Sequence, residues 1–504
     1  MFTTHEFRVA VALAVALGAA AAGRLALGEC VEAPIDVANR KQLFIDQKFI
    51  DSSHGVRLVM NPPYQTGEVL ITADQPHEEG GHVSLYSSVL KEEDGRIRIW
   101  YDLVVPFGPG SHDHDRLVCY AESEDGLSFV KPELGLHEIG GSRANNVVLP
   151  GRIGGCAVWI DPNAPPEHRY KTQTKFYPTP GSAAGEFLMH SSPDGVHWNL
   201  FAKINPRGNL DTQTVVFWDE RVGRYLFYGR HKPPTPEADI HCRKVRRAEM
   251  TDLTEIENTG LAMWPDAIDR AAYETPPDQT PVDYYGATVF PYQGADGVYI
   301  MLAQAFWHWM PGGAPGTRDV RLAVSRDSRH FERVGDRAPF LRMGPAGRFD
   351  SRGVWAMPSP IVMGDEIWIY YVGTSRDRSG QTDPSAPVRG AISRAVMRLD
   401  GFVSADASYE GGELTTPPLR FSGNRLELNV DTSAGGGVRV ELLDAEGNPL
   451  PGLSGNASPW LVGNSVRMPV VWSETSDVGA LADQPIRIRF MMRDCKLYAF
   501  QFVR

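Results

Sequence analysis

Cysteine is scarce in this sequence, and it contains neither a basic run nor a nucleotide-binding loop. The five cysteines among the 504 residues have no CxxC spacing, so zinc and redox motifs are not indicated. The net charge of −12 argues against nucleic acid and anionic membranes as partners. Glycine-rich phosphate loops and serine-centred nucleophile elbows are also missing. The acidic balance is compatible with a neutral substrate such as a sugar.

Aromatic residues, glycine and proline are abundant instead. Hydrophobic residues make up 42% of the chain, which is enough for a large core in two or more domains. Aromatics at 10%, with 50 glycines and 38 prolines, favour an all-β chain with many turns. Cys119, Cys156 and Cys242 lie in or near apolar runs. This placement predicts buried free thiols, and a disulfide is the alternative.

The N-terminus has the pattern of an export signal. Arg8 precedes an alanine-rich apolar segment, residues 9–22, which is too short for a good membrane span. Ala26, Leu27 and Gly28 form a small-residue cleavage site. We therefore expect a signal peptide over residues 1–28 and an exported protein, periplasmic or extracellular, with no membrane contact after cleavage. An uncleaved anchor is the alternative.

A short motif recurs along the chain with serine first, aspartate two residues on and an aromatic six residues on. Its copies begin at Ser123, Ser192 and Ser325, so the second interval is roughly twice the first. A degenerate copy at residues 247–252 fills the gap, and a fifth falls near residues 391–394. The aspartate is expected to bind backbone N–H groups of a tight turn, and the aromatic to fill the gap between sheets.

Paired apolar runs lie between these motifs. They occupy residues 96–103, 156–175, 215–228, 287–305 and 354–373. Five such units at a period of about 65–70 residues predict a five-bladed β-propeller. Residues 42–50 are expected to close its ring. A β-sandwich or β-helix with coincidental turns is the alternative.

The chain changes character after residue 418, where the apolar runs become shorter and more regular. Glycine-rich and Asp/Asn-containing turns separate these runs. The sequence therefore predicts an all-β protein with a propeller over residues 29–418 and a small antiparallel β-sandwich over residues 419–504.

This organisation resembles the five-bladed propeller superfamily that contains glycoside hydrolase families 32, 43, 62 and 68. A closer similarity is to exported bacterial proteins, common in planctomycetes, that are labelled "glycosyl hydrolase family 32 N-terminal-like". The segments that carry the similarity are LFIDQKFI (43–50), IDPNAPPEHRYK (160–171), DTQTVVFWD (211–219), FDSRGVWAMPSPIVMGDEIWIYYVG (349–373) and LNVDTSAGGGVRVELLDAEGNPLPG (428–452). The resemblance covers nearly the whole mature chain.

The resemblance implies paired-carboxylate chemistry on a carbohydrate substrate, with no required cofactor and with calcium allowed in the axial channel. Acids that open inner strands are the catalytic candidates, namely Glu79, Asp211, Asp283 and Asp350. The family 32 signature of the first blade and a clear late-blade glutamate are both missing. The alternative for each candidate is therefore a structural role, either capping a turn or forming a hydrogen bond at the start of a strand.

Sugars are bound by aromatic faces and by bidentate polar groups. The substrate-binding candidates are His82, Tyr285, Trp307, His308 and Arg352. The alternatives are packing of the tryptophan between blades, core hydrogen bonds for the histidines and an Arg352–Asp350 ion pair. The run of alternating His and Asp at residues 112–115 reads as a solvated loop, so no metal site is expected.

Three functions compete at this point. The first is an exported glycoside hydrolase, and the second is a non-catalytic propeller that binds glycan or protein. Two carboxylates facing each other across the axial pocket would favour catalysis. Acids scattered to the rim or paired with arginine would favour binding. A sialidase is the third, but the sequence places no trio of arginines.

Overall fold

The computed structural model describes residues 33–106, 114–151, 153–176, 186–204, 212–271, 280–309, 315–473 and 475–504. The predicted signal peptide lies outside these ranges. The described chain is nearly all-β, which confirms the predicted class. Its α-helix is a single turn, Ala267–Arg270, and short 3₁₀ helices occur at Gln47–Phe49, Pro76–Glu78, Pro166–His168, Gly335–Arg337, Gly455–Ala457 and Gly479–Leu481. Within the described ranges, no helix has the length and apolarity needed to cross a membrane.

Five antiparallel sheets follow one another along the middle of the chain. Sheet 1 contains His82–Val83, Ser88–Lys91, Ile97–Pro106, His114–Ser123 and Val147–Leu149. Sheet 2 contains Ile153–Gly154, Trp159–Ile160, Tyr170–Phe176, Glu186–Ser192 and Asn199–Ile204. Sheet 3 contains Val215–Asp219, Arg224–His231, Lys244–Met250 and Glu257–Met263. In each sheet the strands are rich in β-branched and aromatic residues, as expected for pleated, half-buried surfaces.

Sheets 4 and 5 repeat the same up-and-down order. Sheet 4 contains Val282–Pro291, Tyr299–His308, Gly316–Ser325 and Glu332–Arg333. Sheet 5 contains Gly353–Ala356, Ile361–Met363, Glu366–Thr374, Gly390–Arg398, and two strands from much earlier in the chain, Tyr64–Gln65 and Ile71–Thr72. A parallel bridge between Arg318 and Gly353 joins the two sheets.

The early strands of sheet 5 differ from the expected closing segment. Tyr64 pairs with Val396 and Ile71 pairs with Ile392, so residues 64–72 supply the outer edge. The expected closing segment, residues 42–50, instead pairs through Gln42–Leu43 with the last strand of the chain. The reason is that this segment is apolar on both faces, so it packs between two cores and not along one edge.

Each sheet packs on the next, and sheet 5 packs on sheet 1. Separate hydrophobic clusters fill the interfaces 1–2, 2–3, 3–4, 4–5 and 5–1. Representative pairs, in that order, are Trp100 and Tyr170, Phe187 and Phe227, Tyr228 and Met301, Leu322 and Ile369, and Tyr370 and Ile99. The five sheets therefore share their cores around a closed circuit.

The repeated Ser-x-Asp turn has the hydrogen bonds expected of it. Ser123 Oγ donates to Asp125 Oδ1 (2.9 Å) and accepts from the N–H of Gly126 (2.9 Å). Asp125 Oδ1 also accepts from the N–H groups of Leu127 and Ser128, each at 2.8 Å. These backbone bonds lower the pKa of Asp125 to about 2. The copies that begin at Ser192 and Ser325 repeat the pattern.

Each full turn is bound by an aromatic residue of the preceding sheet. The hydroxyl of Tyr370 donates to Gly126 O at 2.8 Å. The equivalent bonds join Trp100 Nε1 to Gly195 O (2.6 Å) and Tyr228 OH to Ser328 O (2.6 Å). The motif therefore connects neighbouring sheets as well as closing its own hairpin.

The two weaker copies behave differently. In the degenerate copy, Asp252 Oδ1 accepts from the N–H of Thr254 at 3.0 Å. The expected fifth copy is not a turn, because residues 391–394 lie inside the strand Gly390–Arg398. The turn follows that strand, where Asp400 takes a positive φ of 63°. Alternation of small and apolar residues through 390–397 sustains the strand past the expected position.

Two further sheets enclose a separate core. Sheet 6 contains Ile35–Ala38, Leu419–Phe421, Ile486–Arg493, Gly412–Thr415, Ser52–His54 and Gly437–Asp444. Sheet 7 contains Asn464–Pro469, Arg425–Asp431, Cys495–Val503, Val403–Ala407, Val56–Met60 and Gln42–Leu43. Phe490 of sheet 6 and Phe500 of sheet 7 meet in this core. The expected boundary at residue 419 does not coincide with the boundary between sheets, because strands from residues 35–60 and 403–415 also belong to sheets 6 and 7.

The cysteines of the described chain are free and buried, as the apolar runs around three of them predicted. Burial raises the pKa of Cys156 and of Cys242 to about 12. These thiols are therefore protonated at neutral pH and unreactive.

Candidate functional site

The first strands of the sheets converge on one axis. Gln213 Nε2 donates to the carbonyls of Ser87 (2.8 Å) and Cys156 (2.5 Å), and Trp355 Nε1 donates to Gln213 Oε1 (3.1 Å). These residues come from the segments that open sheets 1, 2, 3 and 5. Gly286 opens sheet 4, and a Cβ atom there would lie 2.9 Å from the Trp355 indole. Glycine is needed because the indole occupies the space of a side chain.

Three aromatic rings form a floor across this axis. Tyr86 of sheet 1 meets Trp355 edge to face, with ring centroids 5.2 Å apart. Tyr285 of sheet 4 also meets Trp355 edge to face, with ring centroids 6.0 Å apart. Trp355 and Tyr86 are buried, whereas Tyr285 is half-buried. We name Tyr86, Trp355 and Tyr285 the aromatic floor, and the space above it the mouth.

A buried carboxylate lies on the sheet 1 side of the floor. Asp102 is paired with Arg116, which also donates to Ser84 Oγ at 3.0 Å. The guanidinium of Arg116 lies over the Tyr86 ring, 5.3 Å from its centroid. Complete burial raises the pKa of Asp102, and Arg116 offsets only part of this effect.

A second buried carboxylate lies on the sheet 4 side. Asp283 Oδ1 accepts from the backbone N–H of Arg243 at 2.9 Å, and Oδ2 pairs with the Arg243 guanidinium. His308 Nε2 lies 3.1 Å from the same Oδ2. Burial alone would raise the pKa of Asp283, but His308 and Arg243 hold it below its usual range. The two carboxylates therefore have pKa values shifted in opposite directions.

Arginines surround the half-buried Tyr285. Arg230 donates to the Tyr285 carbonyl at 3.2 Å and lies 4.1 Å from its ring centroid. Arg243 and Arg318 lie at 4.8 Å and 5.6 Å from the same centroid. Burial alone would raise the pKa of Tyr285, but Arg230, Arg318, Arg378 and Arg243 lower it to about 7. A phenol poised near neutrality can exchange a proton with a substrate.

A cavity of about 270 Å³ lies between sheets 1 and 5. It is lined by Gly80, His82, Val104, Arg376, Gly380, Thr382 and Arg389. Its lining is polar and basic, unlike the apolar pocket of a lipid-binding protein. A sugar ring with polar substituents fits this character.

The sequence-predicted residues divide between this mouth and other places. Asp283, Tyr285 and His308 are brought together at the sheet 4 side of the floor, and His82 lines the cavity between sheets 1 and 5. Asp211 lies outside the described residues.

The predicted arginine and tryptophan lie near the rim of sheet 4. Arg352 lies over the exposed ring of Trp309, 5.0 Å from its centroid, and does not form the ion pair with Asp350 considered from the sequence. Trp307 instead donates to Asp319 at 3.3 Å and packs under Arg321. Trp309, rather than Trp307, therefore presents an aromatic face to solvent.

Two predicted acids lie apart from the floor. Glu79 is exposed in the turn after Pro76–Glu78, and the buried acid there is its neighbour Glu78. Asp350 is buried against Tyr371, whose hydroxyl lies 3.2 Å from its Oδ2. Neither residue contacts the aromatic floor, so neither has a part in the site described here.

The functional candidates that sequence reasoning missed are Asp102, Arg116, Arg318 and Trp355. Asp102 had a readable signal, since it is the one acid within the apolar strand Ile97–Pro106. The arginines had none, because long basic side chains in strands usually face solvent.

One group of metal-ligand types occurs in the described part of the chain, namely His77, Glu78 and Cys119. Glu78 Oε1 accepts from Tyr101 OH at 2.6 Å, and Oε2 pairs with Lys131 at 2.7 Å. The ammonium group already neutralises the carboxylate, so this group does not suit a cation.

Comparison with known proteins gives structural neighbours only. No family model matches the chain, and no curated protein matches it. A β-1,2-mannobiose phosphorylase from Listeria innocua aligns over 68% of this chain and 98% of its own, with 13% identity and a TM-score of 0.46. A glycosyl hydrolase from Bacteroides ovatus aligns over 73% and 99%, with 13% identity and a TM-score of 0.46. A thermostable family-43 glycoside hydrolase aligns over 68% and 96%, with 14% identity and a TM-score of 0.43. The chain is thus similar, at low identity, to glycoside hydrolases and related enzymes.

Proposed function

We propose that the protein is an exported glycoside hydrolase that cleaves a polysaccharide or oligosaccharide at the mouth above the aromatic floor. In this proposal sheets 1–5 are the blades of a five-bladed β-propeller, and sheets 6 and 7 form a β-sandwich beside it. Export rests on the apolar segment at residues 9–22. The resemblance to family 32-like exported proteins supports the export, the propeller with its β-sandwich, and the hydrolase activity.

One observation carries the catalytic part. Asp102 and Asp283 are buried carboxyl groups on two different sheets, and their surroundings shift their pKa values apart. A hydrolase needs one carboxyl group that keeps its proton and one that stays ionised. Asp283, whose pKa is held below its usual range, is assigned as the ionised partner, and Asp102, whose pKa burial raises although it is paired with Arg116, is the candidate proton donor. Asp211, which the sequence places before the first strand of sheet 3, remains a candidate third acid.

The remaining groups have supporting roles. The rings of Tyr285 and Trp309 supply faces for sugar stacking. His82, in the cavity between sheets 1 and 5, and Arg352, beside Trp309, supply hydrogen-bond donors. Tyr285 is also positioned to exchange a proton with the substrate.

A non-catalytic glycan-binding role is the second candidate. Each of the two carboxylates is held by an arginine, Asp102 by Arg116 and Asp283 by Arg243. An ion-paired carboxylate is less available to a substrate than a free one, so this pairing favours a binding role over a catalytic one.

The test is a screen of residues 29–504 against a broad panel of polysaccharides and aryl glycosides. Asp102→Asn, Asp283→Asn and Asp211→Asn are compared with the exposed control Asp365→Asn. The proposal expects turnover that falls by about 100-fold or more when a catalytic carboxyl is lost, and no change in the control. Saturable binding without turnover in all proteins would establish the binding role instead.

A further inference from the structure

The mouth is rich in arginine although the chain carries a net charge of −12. In and beside sheet 6, arginines pair with acids, as in Arg487 with Asp51 and Arg489 with Glu441. Around the mouth, by contrast, a group of arginines has no carboxylate partner among the described residues. Its members are Arg318, Arg352, Arg376, Arg378 and Arg389.

Arg318 is the most informative of these residues. It is 6% exposed, and its Nε has no hydrogen-bond partner. Its guanidinium lies between two rings, 5.6 Å from the centroid of Tyr285 and 5.4 Å from that of Phe306. Burying an unpaired charge is unfavourable, because neither water nor an acid compensates for the lost hydration. Among the described residues, Arg318 thus contacts aromatic rings but forms no ion pair with a carboxylate.

The described acids near this group do not form ion pairs with its arginines. Asp283 binds Arg243 and His308, as described above. The charge of Asp377 acts on Arg318 and raises its pKa, but the two residues form no ion pair: Asp377 Oδ1 accepts from Ser379 (2.7 Å) and Gln381 (2.9 Å), and its buried Oδ2 has no hydrogen-bond partner. The exposed Arg378 adds a further positive charge that acts on both Tyr285 and Arg318. No described carboxylate therefore forms an ion pair with Arg318 or Arg378.

We propose that the glycan bound here is acidic, and that its carboxylate or sulfate group lies between Arg318 and Arg378. The inference rests on the proposed function, since it names the class of substrate that the same site takes. The planar fork of an arginine matches two oxygens of either anion.

The experiment compares each charged polymer with its neutral counterpart. The first pair tests a carboxylate and consists of polygalacturonate and carboxyl-reduced polygalacturonate, which form the carboxylate arm. The second pair tests a sulfate and consists of a sulfated galactan and its desulfated form, which are the sulfate arm. Binding is measured by calorimetry at low and high salt, and turnover by release of reducing ends. We expect at least tenfold tighter binding of the charged member of one arm, weakened by salt.

Arginine variants locate the effect. Arg318→Gln and the exposed Arg378→Gln should each weaken binding of the charged polymer about tenfold or more, and should not weaken binding of the neutral one. Arg420→Gln, on the surface of sheet 6, should leave binding unchanged. Because Arg378 is exposed, its variant tests the inference even where Arg318→Gln does not fold.

The outcomes separate this inference from the proposed function. Turnover or binding confined to neutral polymers would overturn the acidic substrate and leave the hydrolase standing. Salt-sensitive binding of a charged polymer that depends on Arg378, without turnover, would support the inference and refute the hydrolase. Equal binding of charged and neutral members by wild type and variants would overturn the inference.

Discussion

Ionisation of Tyr285 near neutral pH is the sharpest physical consequence of the arginine-rich mouth. With a pKa of about 7, its phenol is about nine-tenths ionised at pH 8. Every other described tyrosine with a shifted pKa is shifted upward, and the pKa values of Tyr225 and Tyr371 are raised to about 12. Ultraviolet absorbance at pH 8 should therefore report about one phenolate per molecule, and Tyr285→Phe should abolish it.

The arginines set the size of the effect. At an effective dielectric constant of about 20, a unit charge at the distance of Arg318 stabilises the phenolate by about 3 kcal/mol. Arg318→Gln should therefore raise the pKa of Tyr285 to about 9, leaving about one-tenth of the phenol ionised at pH 8. Arg420→Gln is the control and should leave the titration unchanged. A wild-type protein with no phenolate below pH 9 would refute the reasoning.

The same group makes stability depend on pH. The pKa of Tyr285 is lower in the folded chain, about 7, than its ordinary value of 10.0. Its contribution is therefore fully present above pH 10 and is lost as the pH falls through 7. Between pH 7 and pH 10 the wild type should gain stability relative to Tyr285→Phe. Urea unfolding at several pH values measures the difference, and a constant difference would contradict the assignment.

Three further changes test the turn contacts, the aromatic floor and the closing strand. Tyr228→Phe leaves a buried turn carbonyl unbonded and should lower the free energy of unfolding by about 1–3 kcal/mol, whereas Tyr409→Phe at the surface should not; urea unfolding compares them. Gly286→Ala places a methyl group against Trp355, so glycan binding measured by calorimetry should weaken at least tenfold, and unchanged binding would argue against the aromatic floor. Ile71→Ala empties a buried position in the closing strand and should lower the free energy of unfolding by about 2–5 kcal/mol, so a loss below 1 kcal/mol would show that this strand is dispensable.

Local chemistry explains why the sheets could be anticipated. The Ser-x-Asp turns at Ser123, Ser192 and Ser325 are formed by contacts within six residues, so their pattern survives in the sequence. The closing strand could not be identified in the same way. Its pairing of Tyr64 with Val396 depends on a partner far along the chain, and residues 42–50 have an equally good strand pattern.

The site was harder to anticipate than the fold. Asp283 was found because an acid at a strand start is a visible signal. Asp102 is the one acid of its apolar strand and could have been noticed, but Trp355 lies inside an apolar strand where nothing local separates an axial residue from a core residue. Burial of Arg318 opposes the usual preference of arginine for the surface, so only the assembled ring of sheets identifies it. Functional sites are the places where such departures from local preference are expected.

The pairing of early strands with late ones also determines when the chain can fold. Tyr64–Gln65 must wait for the strand that contains Val396, and Gln42–Leu43 must wait for the strand that contains Ala499. Sheet edges thus remain unpaired until the last strand is available, which exposes them to association with other chains. Contacts this distant in sequence slow folding. Refolding yield should therefore depend steeply on protein concentration.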